Sequence, residues 1–354
     1  MFGHSSFLPA ATGSVIPDFE FETVIWTGDN ATSRGITGVG FTPDLTFIKS
    51  RSLAASWGWY DSVRGAGYWL RSDGNSSQIY QRQNGYLSSF DTNGFTLQKG
   101  ASTDPTYTGW YETNQSGQTY VAYNFKAGGA ASLNENGSID SQVSASNGFS
   151  VVSWTGDGND ATVGHGLSQA PEMIITKGTT NLATYNQWST YHEDLSTNYL
   201  IYLNLTDAQG NGGGGYFRDS ALSSTVFGLG NDIYGPNVNG TTMIAYCFHS
   251  IAGVSKVGSY VGGSTGSGNE ITTGFKPQMV ILKTYTAGGE DWHCFDNVRG
   301  GSDSFVNDLR PNTNEVESTY APRQINFTST GFYWTGSDAG VNGSGKSYIY
   351  IAFA

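Results

Sequence analysis

Apolar and polar residues alternate along many short stretches of this chain, and turn residues interrupt the alternation. Thr119, Val121, Tyr123 and Phe125 alternate with Tyr120, Ala122 and Asn124, the period of two that a strand requires. Leu45–Ile48, Met173–Thr176 and Met279–Leu282 are short apolar runs that each follow a proline turn, as buried strands do. Asn93-Gly94, Asn136-Gly137, Asn147-Gly148, Asn239-Gly240 and Asn342-Gly343 mark tight turns. No stretch keeps a helical period beyond about two turns. Evenly spaced short strands with glycine turns predict antiparallel β-sandwiches of the jelly-roll or lectin-like kind.

The strand pattern recurs in order. A closing segment reads GQTYVAYNF at 117–125, GTTMIAYCF at 240–248 and GKSYIYIAF at 345–353. A proline turn, four apolar residues and a lysine read GFTPDLTFIK at 40–49, GLSQAPEMIITK at 166–177 and GFKPQMVILK at 274–283. An opening segment reads VIWTGD at 24–29, VSWTGD at 152–157 and, more weakly, VGSYVG at 257–262. WGWYDSVRG at 57–65 is echoed by WHCFDNVRG at 292–300, with WSTYHEDLS at 188–196 in the second unit. Repeats of about a hundred residues suit a sandwich and exceed a single propeller blade. The expected organisation is an N-terminal leader at 1–20, a first sandwich at 21–127, a Gly/Ala/Ser/Asn-rich joint at 128–147, a second sandwich at 148–252 and a third at 253–354. Phe2, Phe7, Leu8, Val15 and Ile16 in the leader lack strand alternation and call for a surface to bury them. A particle socket and the first sandwich are both open as that surface.

Composition narrows the function classes. Charged residues make up 13% of the chain, against roughly 25% in ordinary soluble domains. Aromatics reach 14%, enough for a packed core. A net charge of −12 lacks the basic footprint of a nucleic-acid binder. The apolar runs are too short for a membrane-spanning helix. Residues 1–20 hold no Lys or Arg, so no secretory signal is expected. Cys247 and Cys294 form neither a disulfide framework nor a CxxC pair.

The candidate chemistry is sparse. Gly340–Ser347 spells GxxxxGK[ST], yet a strand rather than a helix follows, so the phosphate cradle is not expected. His4, His165, His192, His249 and His293 show no zinc spacing. Asp157, Asn159 and Asp160 form an oxygen-rich turn that could hold calcium or simply serve as a turn. The adjacent pairs Glu193/Asp194 and Glu290/Asp291 diverge along a strand and make poor acid/base couples. Trp57, Trp59, Tyr60, Asp61 and Arg64, echoed by Trp292, Asp296 and Arg299, could stack on and hydrogen-bond a sugar. The other reading makes them core and a salt-bridged turn.

These segments together resemble a module of tailed-bacteriophage virion proteins of the marine and cyanophage type. The matching pieces are Trp26–Asp29, Gly40–Lys49, Trp57–Gly65, Asn93–Phe95 and Tyr120–Phe125, with third-unit copies at 274–283, 292–300 and 348–353. The second unit departs, lacking the Val-Arg-Gly turn and carrying the run Gly212–Gly215. The resemblance implies a non-enzymatic tail-fibre or head-decoration protein on the virion surface. It would contact capsid, tail or connector proteins through residues 1–20, assemble as a homo-oligomer with a trimer favoured, and present loops to host glycans. Three sandwiches in series would form a stiff rod. A polysaccharide-degrading virion enzyme and a secreted bacterial adhesin are the alternatives.

Overall fold

The computed structural model describes residues 18–180, 186–211, 215–232, 234–263 and 265–354. Its regular secondary structure is almost entirely antiparallel β-strand. The same four-strand order occurs three times. In the first unit it runs Glu20–Thr27, Thr119–Lys126, Leu45–Ser50, Gly58–Asp61. The second runs Phe149–Thr155, Thr242–Phe248, Met173–Gly178, Ser189–His192, and the third Ser255–Val261, Ser347–Phe353, Met279–Thr284, His293–Asp296. We call these the opening, closing, proline and tryptophan strands of each inner sheet. An outer sheet faces each inner one: Ser33–Thr37, Gly94–Gln98 and Tyr86–Asp91 in the first unit, and Ala161–Gly164 with Val226–Leu229 in the second. In the third it comprises Ile271–Thr272, Gly331–Trp334, Ile325–Phe327 and Ser304–Phe305. Turn chemistry fixes these pairings. Gly94 sits at φ +143°, and a Cβ there would lie 2.0 Å from the Ile36 carbonyl oxygen, so this hairpin tip needs glycine.

Each inner sheet is buried on both faces. Along the first closing strand, Tyr120 and Ala122 enter the first unit's own core with Ile36, Leu87 and Phe95. The alternate residues Val121, Tyr123 and Phe125 enter a second core, shared with Ile244, Tyr246 and Phe248 of the second unit and Ile349, Ile351 and Phe353 of the third. The period of two therefore sorts residues between two apolar layers rather than between core and water. The expected rod is corrected: the three sandwiches pack around one common core instead of stacking end to end. Fully burying each large apolar side chain contributes about 1.5–3 kcal/mol, so this shared layer binds the units firmly.

The common core is closed at one end by phenylalanines. The rings of Phe125, Phe248 and Phe353 lie 5.1–6.1 Å apart, centroid to centroid. Phe19 packs on this trio from the leader, 5.8 Å from Phe353 and 6.3 Å from Phe125, and Asp18 bridges Asn147. Phe2, Phe7, Leu8, Val15 and Ile16 lie outside the described residues.

Two further expectations change. The joint at 128–147 is not a bare linker, because Ser132–Asn134 and Ser141–Ala145 add two strands to the second inner sheet. Its low apolar content misleads because buried serines are hydrogen-bonded there. Ser141 Oγ donates to the Gly164 carbonyl (2.8 Å), and Ser146 Oγ to that of Lys126 (3.1 Å). The third opening segment also shifts by one residue. Trp26 pairs with Tyr120, Trp154 with Met243 and Tyr260 with Tyr348. Tyr260 thus occupies the tryptophan position, and it stacks on Tyr348 at 4.9 Å as Trp26 does on Tyr120 at 5.4 Å.

Candidate functional site

The recurring polar and aromatic residues lie where one unit meets the next. Trp57 Nε1 donates to the Arg310 carbonyl (2.9 Å), Trp188 Nε1 to that of Arg71 (2.8 Å) and Trp292 Nε1 to that of Tyr202 (3.0 Å). The first unit reaches the third, the second the first and the third the second, so the contacts run in one cyclic sense. The lysines that end the proline strands repeat this pattern. Lys49 Nζ donates to the carbonyls of Ser50 (2.9 Å) and Asn314 (3.3 Å), Lys177 Nζ to Asn186 (2.7 Å) and Asn75 (3.2 Å), and Lys283 Nζ to Thr284 (3.1 Å) and Thr206 (3.4 Å).

A buried ion pair marks two of the three interfaces. Asp61 accepts from the Arg64 amide (2.8 Å) and guanidinium (2.5 Å), and from the Tyr246 hydroxyl of the second unit (2.8 Å). Asp296 likewise accepts from Arg299 and from the Tyr123 hydroxyl of the first unit (2.7 Å). Burial holds both tyrosine hydroxyls well above their ordinary pKa, so they stay protonated donors. At the third interface both partners change together. Ile351 stands in place of the tyrosine, and His192, which burial pushes down to about 4, stands in place of the aspartate. An apolar side chain offers no donor, and a buried carboxylate without one would be costly.

The sugar-site expectation is corrected by this arrangement. Trp57, Trp59, Tyr60, Asp61, Trp292 and Asp296 are at most 3% exposed, and the Arg64 and Arg299 side chains are similarly enclosed. Both faces of the tryptophan strand are core: Trp57 and Trp59 face the common layer, and Tyr60 faces the first unit's own. A saccharide has no path to them.

The three lysines carry a pH signature. Burial pushes Lys49 down to about 7, Lys177 to about 6 and Lys283 to about 8, from the usual 10.5. Between pH 7 and 9 the unfolded chain therefore binds more protons than the folded one, and stability rises with pH there. The thermal midpoint should climb across this window, and Lys→Met at all three positions should flatten the climb. A midpoint that falls in the unsubstituted chain would contradict it. Above pH 9 the buried Cys247 and Cys294, both pushed up to about 12 by burial, act in the opposite sense.

The oxygen-rich turn has a structural occupation. Asp157 Oδ1 accepts from the Asn159 amide (2.9 Å) and Asn237 Nδ2 (2.8 Å), while Asp160 pairs with Arg218 (2.9 Å). Asn114 and Asn342 brace the matching turns through Asp29 and the Gly263 amide. Among the described residues, no group of three or more His, Cys, Asp or Glu stands where it could hold a metal. Gly340–Ser347 runs directly into the closing strand, and Lys346 is spent on Glu290 (2.8 Å).

Open concavities lie elsewhere. A groove of about 620 Å³ opens between the second and third units, lined among others by Glu193, Asp194, Lys256, Tyr260, Glu270 and Ile271. Burial, then repulsion from Glu172 and Asp194, pushes Glu193 up to about 7. A smaller one of about 320 Å³ on the first unit includes Arg82, Asn84, Asp104, Tyr107, Tyr111 and Glu112. Tyr107 is 54% exposed there, and its ring meets Tyr111 edge-on at 5.1 Å. Arg82 and Glu112 form a bidentate pair. Sequence reading missed both concavities, since their walls join residues far apart in the chain.

Residues 17–354 match the family described as a domain of unknown function, DUF7483. The chain belongs to that family. One DUF7483 match spans all three units, as the common core would require of a single structural module. No curated protein and no solved structure matches the chain.

Proposed function

We propose that the chain is a non-enzymatic structural component of a tailed-phage virion, held on the particle surface and exposing its outer loops to host glycans. One observation supports this reading best. The residues that recur between units, Trp57/Trp188/Trp292, Lys49/Lys177/Lys283 and Asp61/Asp296, are consumed by the joints between units. What recurs thus builds a platform, and recognition falls to the loops that differ. The saccharide-facing surface in this proposal is the Tyr107–Tyr111 groove rather than the buried tryptophans, because exposed aromatic edges beside planar polar groups suit sugar rings.

The test is to band phage particles on a density gradient and quantify this chain by mass spectrometry. A fixed number of copies per particle supports the proposal, and absence from intact particles contradicts it. Purified protein incubated with host polysaccharide should release no new reducing ends. Tyr107→Ala with Tyr111→Ala should weaken glycan retention at least tenfold without changing the melting point.

A further inference from the structure

We infer that the open mouth of the third sandwich is a strand-addition site for an extended, positively charged segment of another protein. In the first and third units the opening strand is an edge of the inner sheet, and in the third it lines one groove with the outer edge strand Ile271–Thr272. In the second unit, residues 139–145 of the chain itself fill the mouth between the corresponding strands. Ser141 pairs with Trp154, Val143 with Val152 and Ala145 with Ser150, while Ile139 bridges Val163 of the outer strand. Val143 is buried in the sandwich core. This is an added strand supplied in cis.

Among the described residues, the third unit has the same edge without a filler. Phe149 pairs with Phe248 as Ser255 pairs with Phe353, so the covered stretch Ser150–Trp154 corresponds to Lys256–Tyr260. The short connection before it turns back on itself, with the Ile251 amide donating to the Ser255 carbonyl. The Ser255 amide donates to Ile251 and the Val257 amide to Ser250 Oγ, so odd-numbered amides point off the sheet. The next two in that series, Ser259 and Val261, are exposed, and no acceptor meets them among the described residues. In the first unit the matching edge is less available: Gln278 Oε1 accepts from the Thr23 amide (3.1 Å) and Arg34 covers the Thr27 carbonyl (2.7 Å).

The groove of about 620 Å³ lies along this free edge, and its chemistry selects the occupant. Tyr260 and Ile271 offer apolar surface for alternate side chains of an added strand. Glu193, Asp194 and Glu270 line it against one lysine, Lys256, so the remaining side chains of the incoming strand should be basic. A second copy fits poorly, since chains of net charge −12 would set two such acidic rims together. The inference stands apart from the virion reading, because it rests on the edge alone.

The test uses the full chain and a fluorescein-labelled peptide alternating lysine and valine, read by anisotropy. Binding should be saturable, and hydrogen exchange at Ser259 and Val261 should slow when peptide is added. Ser259→Pro removes an outward N–H at an edge position where proline is tolerated. It should weaken binding at least tenfold while the melting point holds. Glu270→Lys, a surface change, should also weaken it, and alternate N-methylation of the peptide should abolish it. Equal binding of the N-methylated peptide, or none at millimolar concentration, would overturn the inference. So would a dimer of the chain that Ser259→Pro dissolves, because the edge would then belong to a second copy.

Discussion

Asp296→Ala is expected to destabilise the whole chain by about 3–5 kcal/mol, the loss that follows when one partner of a buried pair is removed. Asp296 is fully buried, and so is the Arg299 side chain it neutralises. Its carboxylate also accepts from the Tyr123 hydroxyl at 2.7 Å. The network continues from Arg299 to Glu317 (2.8 Å) and from Glu317 to Arg51 of the first unit (2.9 Å). Deleting the carboxylate strands a guanidinium and a phenol in the common core, with Glu317 as the remaining counter-charge. Tyr123→Phe removes a single donor and should cost only about 1–3 kcal/mol. Urea unfolding followed by tryptophan fluorescence reads both. A loss at Asp296 no larger than that at Tyr123 would show that the pair is not enclosed as described.

Phe353→Ala should cost a comparable ~3–5 kcal/mol, since it opens a cavity in a well-packed core. Its distinctive effect is spatial. Phe353 belongs to the third unit, but its ring contacts Phe125 of the first at 5.1 Å and Phe248 of the second at 5.8 Å. Amide exchange should therefore accelerate in the closing strands of all three units. Acceleration confined to Ser347–Phe353 and its immediate partners would mean that the units are energetically separate.

Much of the sandwich character was legible in the sequence because alternation and turn glycines are local signals. Asn93-Gly94 falls at a hairpin, and the proline turns fall where the chain crosses from an outer to an inner sheet. The common core was not legible, since a period of two tells which residues share a face and not what covers that face. The clue lay in the closing strands, where Val121, Tyr123 and Phe125 are apolar and so are Tyr120 and Ala122. A strand apolar on both parities is buried on both sides. The lysines ending the proline strands recur visibly in sequence, but that they face carbonyls of the next unit is a relation carried by tertiary packing alone. The tryptophan clusters gave an ambiguous signal for a similar reason. Buried and ligand-facing aromatics look alike in sequence, and only the cyclic bonds from Trp57, Trp188 and Trp292 to the neighbouring unit separate the two readings. The joint at 128–147 misled through composition, because hydrogen-bonded serines replaced the apolar residues expected of a covered strand.

Differential scanning calorimetry of the intact chain tests the common core most directly. A single transition is expected, with van't Hoff and calorimetric enthalpies that agree and an enthalpy of about 0.7 kcal/mol per residue over the whole module. Three resolved transitions, each with the enthalpy of about a hundred residues, would contradict it.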